Sequence, residues 1–335
     1  MFIKTRKIFI SILVMGLLVT WLKINSGQEM EPITLKLGTI DAVKSPANIA
    51  TNKFAQWVSQ KTNGKVKVEV YPASQLGYSV SQIESIMKGS LEMGQFAVGF
   101  FPPYIKDWEI LTLAFAFKDQ DHLKRFLASE TNKYIKDQFL KEYRVRVLVE
   151  NWLRPPHVIA TTKPVRKPDD LKGLKIRVPK IEMYLQNWKQ LGASPALIAW
   201  EEVYMGLRQG VVEGVDIPFD FIKVMRIYEV APHIIMTNHL LPHARIIINE
   251  SVYQKLPANV QKVLIEAGKE AGDFYTQLEK KVVETDREEL LKINIKIYEI
   301  DTAPFHERVA ILAKELEGKN YWKPGLYDNV QALRK

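Results

Sequence analysis

Apolar and polar positions alternate from Ile33 to Gly38 (ITLKLG), and this period of two predicts a first strand. Ile49, Phe54, Trp57 and Val58 then recur at near-helical spacing, predicting a helix over Ile49–Lys61 that ends at Asn63-Gly64, residues suited to a left-handed cap. Val66, Val68 and Val70 predict a second strand. It stops at Pro72, because proline has no N–H to give a sheet. A helix over Ser81–Lys88, closed by Gly89, leads into the small apolar stretch LEMGQFAVGF. The order βαβαβ predicts an α/β fold in which a sheet with some parallel strands carries helices on both faces.

Further along, the pattern predicts a helical stretch over Gln120–Tyr143 and a strand over Arg144–Val149. Arg154-Pro155-Pro156 reads as a rigid crossing into a second α/β unit: a strand over Leu174–Val178, helices over Met183–Leu191 and Glu202–Arg208, and a short strand over Val211–Val215. Arg245–Ile248 is one more strand, with the option of rejoining the first unit, and Asn249 caps the helix after it. Ala258–Ile293 is almost free of breakers and rich in charge, so it predicts one or two long helices laid outside both units. Two lobes joined by several crossings predict a hinge.

One side chain gains a special place from this pattern. Leu174, Ile176 and Val178 alternate with Lys175 and Arg177, and Pro179 ends the strand, which leaves Arg177 at its C-terminal end. In open α/β sheets the ligand crevice forms outside those ends, where a guanidinium offers a planar fork that matches a carboxylate. The competing reading is an exposed or salt-bridged arginine.

The N-terminus bears on compartment. Lys4, Arg6 and Lys7 precede an apolar run from Ile8 to Leu22, the layout of a secretory leader, with an uncleaved membrane anchor as the alternative. A leader over residues 1–27 carries four cations and no acid, so its removal lowers the formal charge from +9 to about +5. The remaining surface is mildly basic and lacks Lys/Arg runs interleaved with aromatics, which argues against nucleic acid as a partner. There is no cysteine, so neither a disulfide nor a thiolate metal site can form.

Catalytic signatures are missing: no G-x-S-x-G, H-E-x-x-H, phosphate-binding glycine loop or dinucleotide fingerprint occurs. His239 and His243 have i, i+4 spacing, but Pro242 between them opposes the helix that a two-histidine metal face needs. Asp169-Asp170 and Glu201-Glu202 precede turns or helices and read as amide caps rather than as acid/base pairs. The residues call for no cofactor and no metal, and they predict a binding protein rather than an enzyme.

Five stretches in order carry a family resemblance: KFAQWVSQKTNGKVKVEVYPASQLG (Lys53 to Gly77), LTLAFAFKDQDH (Leu111 to His122), KPDDLKGLKIRVP (Lys167 to Pro179), LGASP (Leu191 to Pro195) and WEEVYMGLRQGVVEGVD (Trp200 to Asp216). Together they resemble the extracytoplasmic solute-binding proteins of tripartite ATP-independent periplasmic (TRAP) transporters, dicarboxylate-binding type. The resemblance implies a two-lobed fold like the type II periplasmic binding proteins, each lobe a mixed sheet flanked by helices, with a long C-terminal helix across both. It implies a lobe 1 of residues 31–154 plus about 240–275 and a lobe 2 of residues 155–239 plus about 276–335. It makes Arg177 the arginine that takes the ligand carboxylate. The partners implied are a small organic acid, captured in the periplasm by hinge closure, and a permease driven by a sodium gradient. The alternative role is a loaded sensor presented to a signalling receptor.

Other pocket candidates are departures or alternatives. Where relatives often carry Glu-Asn-Pro, this chain reads Asp216-Ile217-Pro218, which leaves Asp216 and Asp220 as polar candidates and Ile217 as either apolar lining or core. A second basic contact falls on His157 or Arg154. Phe96, Trp152 and Trp200 are aromatic candidates, against the general tendency of aromatics to fill cores. Gln75 is a loop amide beyond the second strand. Ala114 stands where the family commonly has proline. If Ile217, Trp152 and Trp200 wall the cleft, the ligand expected is a compact monocarboxylate with a hydrophobic or aromatic body, or a 2-oxo acid, rather than a uronic or sialic acid.

Overall fold

The computed structural model describes residues 31–335, so the leader or anchor expected over residues 1–27 lies outside the described residues. Eleven strands occur among them: β1 (Ile33–Thr39), β2 (Val66–Tyr71), β3 (Met93–Ala97), β4 (Val145–Leu153), β5 (His157–Thr161), β6 (Lys175–Val178), β7 (Ser194–Leu197), β8 (Gly214–Pro218), β9 (His233–Met236), β10 (His243–Asn249) and β11 (Lys296–Glu299). They form two mixed sheets, one in the order β2-β1-β3-β10-β4 and the other in the order β11-β9-β5-β8-β6-β7. The architecture is the two-lobed α/β fold expected. β10 joins the first sheet, antiparallel to both β3 and β4.

Local chemistry explains most of the elements. The helix Pro46–Lys61 starts where Ser45 accepts the amide of Asn48, with proline in its first turn, where a missing N–H costs nothing. The helix Ser79–Lys88 ends at Gly89 in the left-handed conformation (φ 78°). The stretch read as one helix over Gln120–Tyr143 is two, Gln120–Leu127 and Glu130–Tyr143, because Ser129 turns out of the helix and caps the second through Asn132. The strand expected over Arg144–Val149 begins one residue later and runs on to Leu153. That expected over Val211–Val215 lies at Gly214–Pro218 instead. Gly210 adopts φ 71° and leaves Val211 exposed in the turn, so pairing starts only beyond it.

Three connections join the lobes. Residues 154–156 link β4 to β5, and residues 237–242 link β9 to β10. These two crossings are bonded to each other, Arg154 N–H donating to the Pro242 carbonyl at 3.0 Å and His157 N–H to that of Leu240 at 3.0 Å. The third is a single helix, Ala258–Lys292. Its Val260, Leu264, Ala271 and Tyr275 pack in the core of lobe 1, while Leu290 packs in that of lobe 2.

A further contact ties the lobes near the crossings. Asn187, fully buried on the helix Glu182–Gln190, accepts the Ala114 N–H at 3.1 Å and donates to the Thr112 carbonyl at 3.0 Å. A proline at position 114 would have no N–H for this bond. The aromatic core of lobe 1 holds a buried arginine, Arg245, whose guanidinium lies 4.2 Å from the Trp108 ring centre and 4.7 Å from that of Phe101. It sits 3.4 Å from Glu150, and burial lowers it to about 10.

Candidate functional site

Between the sheets lies a cleft of about 700 Å³. Lobe 1 gives it Asp41, Gln95, Phe96, Phe100 and Thr112, lobe 2 gives it His157, Arg177, Tyr184, Trp200, Asp216 and Phe221, and the first crossing gives it Arg154. The strand-end rule places several of these groups, since Asp41 follows β1 and Arg177 is the next-to-last residue of β6.

Arg177 is 4% exposed. Its Nε–H donates to the Ile198 carbonyl at 2.9 Å, and its guanidinium carbon lies 5.4 Å from the Trp200 ring centre. A guanidinium fixed in plane by a carbonyl and an indole loses little side-chain entropy when it takes a ligand, which favours tight and oriented binding.

At the cleft floor a carboxylate gathers three partners. His157 and Asp216 lie on β5 and β8, which pair antiparallel with Ile159 opposite Asp216. That register lets the His157 Nδ1 reach the Asp216 Oδ1 at 2.6 Å. The Trp188 Nε1–H donates to Oδ2 at 2.7 Å, and the His239 Nε2 lies 3.1 Å from the same oxygen. Burial by itself would raise the Asp216 carboxyl, but His239 and then His157 hold it far below the usual carboxylate range. His157, Asp216 and His239 bring their ligating atoms within 4.8 Å of one another. The 2.6 Å contact between His157 and Asp216 is a hydrogen bond, closer than two donors stand on one metal ion. The Tyr184 hydroxyl is driven up by burial and by Asp216, so it stays protonated and keeps an O–H.

The sequence candidates divide. Arg177, Arg154, His157, Trp200, Asp216 and Phe96 all line the cleft, and the structure brings both alternatives for the second basic contact into it. Trp152 does not. Its indole is fully buried in the lobe 1 core, donating to the Gly268 carbonyl at 3.1 Å and packing 5.6 Å from Tyr275. Ile217 is also core: Val215 and Ile217 point to the lobe 2 interior while Asp216, between them, points the other way. Gln75 is exposed and apart from the cleft. Asp220 is half-buried just beyond β8, where burial raises its carboxyl and Arg154 opposes the rise. Two of the three walls behind the expectation of an apolar monoacid are therefore absent, and the case it made against sugar acids falls with them.

Sequence reasoning missed Asp41, Thr112, Tyr184, Trp188 and His239. Asp41 carried a usable signal, since it stands just past the end of the first predicted strand. The others come from loops and helices that only the packing of the lobes brings to the cleft. The two histidines weighed together for zinc part company: His239 faces Asp216, while His243 is fully buried and lowered well below its usual range by burial and Arg245.

With this geometry in place, comparison with known proteins defines the class. The chain matches the family described as bacterial extracellular solute-binding protein, family 7, over residues 37–319, and it belongs to that family. It is 30% identical over 288 residues to the sialic acid-binding periplasmic protein SiaP of Vibrio cholerae, spanning 85% of this chain and 88% of that one. It is 29% identical over 281 residues to the C4-dicarboxylate-binding periplasmic protein DctP of Rhodobacter capsulatus, spanning 84% and 82%. A similar solved structure is a TRAP periplasmic solute-binding protein of Chromohalobacter salexigens with bound D-glucuronate, at TM-score 0.80 and 25% identity over 90% of this chain and all of that one. The family is one of solute receptors of the TRAP class rather than a class of enzymes. Among the described residues no helix is long and apolar enough to cross a membrane.

Proposed function

We propose that this protein captures a small organic acid outside the cytoplasm, closes its lobes on it, and delivers it to a TRAP permease powered by a sodium gradient. The observation that carries this reading is Arg177, a nearly buried arginine at a strand end of the cleft, its plane fixed by Ile198 and Trp200. The relatives' names support it from a second side, since sialic acid, C4-dicarboxylates and D-glucuronate share a carboxylate and little else. The rest of the cleft suits acids that carry further polar groups. Gln95, Thr112, His157 and Tyr184 can meet hydroxyls, and Phe96, Phe100 and Phe221 offer faces for the carbon frame.

A hydrogen bond to a charged group contributes about 1.5 to 3 kcal/mol, and a bidentate pair in a closed cleft lies at the upper end. Arg177→Ala is expected to weaken acid binding by at least ~100-fold. Arg177→Lys is expected to fail as well, because an ammonium cannot reproduce the fork. Calorimetry with D-glucuronate, sialic acid and fumarate tests this, and a lysine variant within a few-fold of the parent would overturn the role.

A further inference from the structure

Arg154 is a wall of two spaces. It lines the cleft, and it also lines a separate pocket of about 360 Å³ behind the hinge, together with Pro155, Pro156, Thr276, Glu279, Lys280 and Glu284. Groups from every element packed there face it: Tyr275 first, its own hydroxyl kept protonated by burial, then the acids Asp41 from lobe 1, Asp220 from lobe 2 and Glu279 from the long helix, which favour its charged form against the opposing effect of burial. Glu279 is 5% exposed, and its Oε2 is buried with no hydrogen-bond partner. A buried carboxylate with an unmet oxygen is costly to keep ionised, whereas its protonated form needs less from its surroundings.

We propose that Glu279 is a positioning residue for Arg154, and that capture of the anion in the cleft is coupled to the uptake of one proton by the Glu279 carboxyl. The inference rests on the acid-receptor reading given above. While Glu279 is ionised, Arg154 is drawn toward the acids behind the hinge. A carboxylate arriving on the cleft side brings a like charge to this cluster and engages Arg154 from the front, and both changes favour protonation of Glu279. Tyr275, on the same helix, works against the rise of the Glu279 carboxyl, while Lys280 and Glu284 flank the pocket with opposite charges. Burial, then Asp220, already push the Glu279 carboxyl up to about 7, so the proton is exchanged near neutral pH.

Titration calorimetry with D-glucuronate, sialic acid and fumarate, all ionised throughout the range used, tests the coupling. Binding is expected to be about tenfold weaker at about pH 8 than at about pH 6. Heats measured at neutral pH in phosphate and in Tris should differ by about half the difference between the two buffers' ionisation heats, because Glu279 is already about half protonated there before the acid binds. Glu279→Gln, which keeps the neutral shape, is expected to flatten the pH profile, remove the buffer dependence and bind more tightly than the parent at about pH 8. Equal binding at both pH values, or a pH slope that survives Glu279→Gln, overturns the proposal and leaves the receptor reading standing. Binding of none of the three acids at about pH 6 overturns the receptor reading itself.

Discussion

Asp216 shows how a single buried carboxylate can stabilise this molecule and ready it for ligand. With Trp188 on one oxygen, His157 on the other and His239 alongside, its ionised form is strongly preferred in the folded chain. A carboxyl whose folded value lies below its unfolded one adds stability that is complete above about pH 4 and is lost as the pH falls further. Asp216→Asn should therefore destabilise the protein by about 3 kcal/mol near neutral pH, because the Trp188 indole and two imidazoles lose the buried carboxylate they gather around. Urea denaturation should show the gap between variant and parent narrower by about 1 kcal/mol at about pH 3. A gap of the same size at both pH values would mean that the carboxylate's charge is not what the fold uses. Arg177 is the complement on the ligand side, its guanidinium oriented by the Ile198 carbonyl and the Trp200 indole.

At the scale of elements, the long helix does two jobs that constrain its sequence. It must lie flat on β4, and it must carry Tyr275 and Glu279 to the back of the hinge. Gly268 and Gly272 allow the close approach. A Cβ at Gly272 would stand 2.5 Å from the Asn151 Oδ1 and 2.6 Å from the Trp152 Cδ1. Gly272→Ala is expected to push the helix off the sheet and cost about 1 to 3 kcal/mol despite alanine's better helix propensity. Thermal or urea unfolding checks the sign: an unchanged or higher stability would show that Asn151 and Trp152 can give way. Asn187 ties the lobes at another element, and the amide it binds exists because residue 114 is alanine.

For the whole molecule, the three connections set how the lobes can move. The two strand crossings are hydrogen-bonded to each other, so they flex as a pair, and the helix spans both cores without a break. Such a hinge supports rigid-body closure rather than local remodelling. The free protein should rest mostly open and close when a carboxylate bridges the two faces. Small-angle scattering should show a smaller radius of gyration on saturation with an acid that calorimetry finds to bind. An unchanged radius at saturation would count against a clamp.

What the sequence determined by itself was local. Strand alternation, Pro72, Gly89 and the run ending Arg177-Val178-Pro179 are set by neighbouring residues, so β1, β2, β6 and the place of Arg177 could be read directly. The faces of the strands were another matter. Trp152 and Ile217 border recognised motifs, yet each points into a core, because sheet pairing and helix packing decide which side of a strand sees the cleft. β5, β7, β9 and β11 are short segments of 4 or 5 residues whose strand state depends on partners elsewhere in the chain. The cleft floor was the least legible part. His157 and Asp216 are 59 residues apart, and Trp188 and His239 come from two further segments. Local spacing carries no trace of such a meeting, which only the folded arrangement of the lobes and crossings brings about.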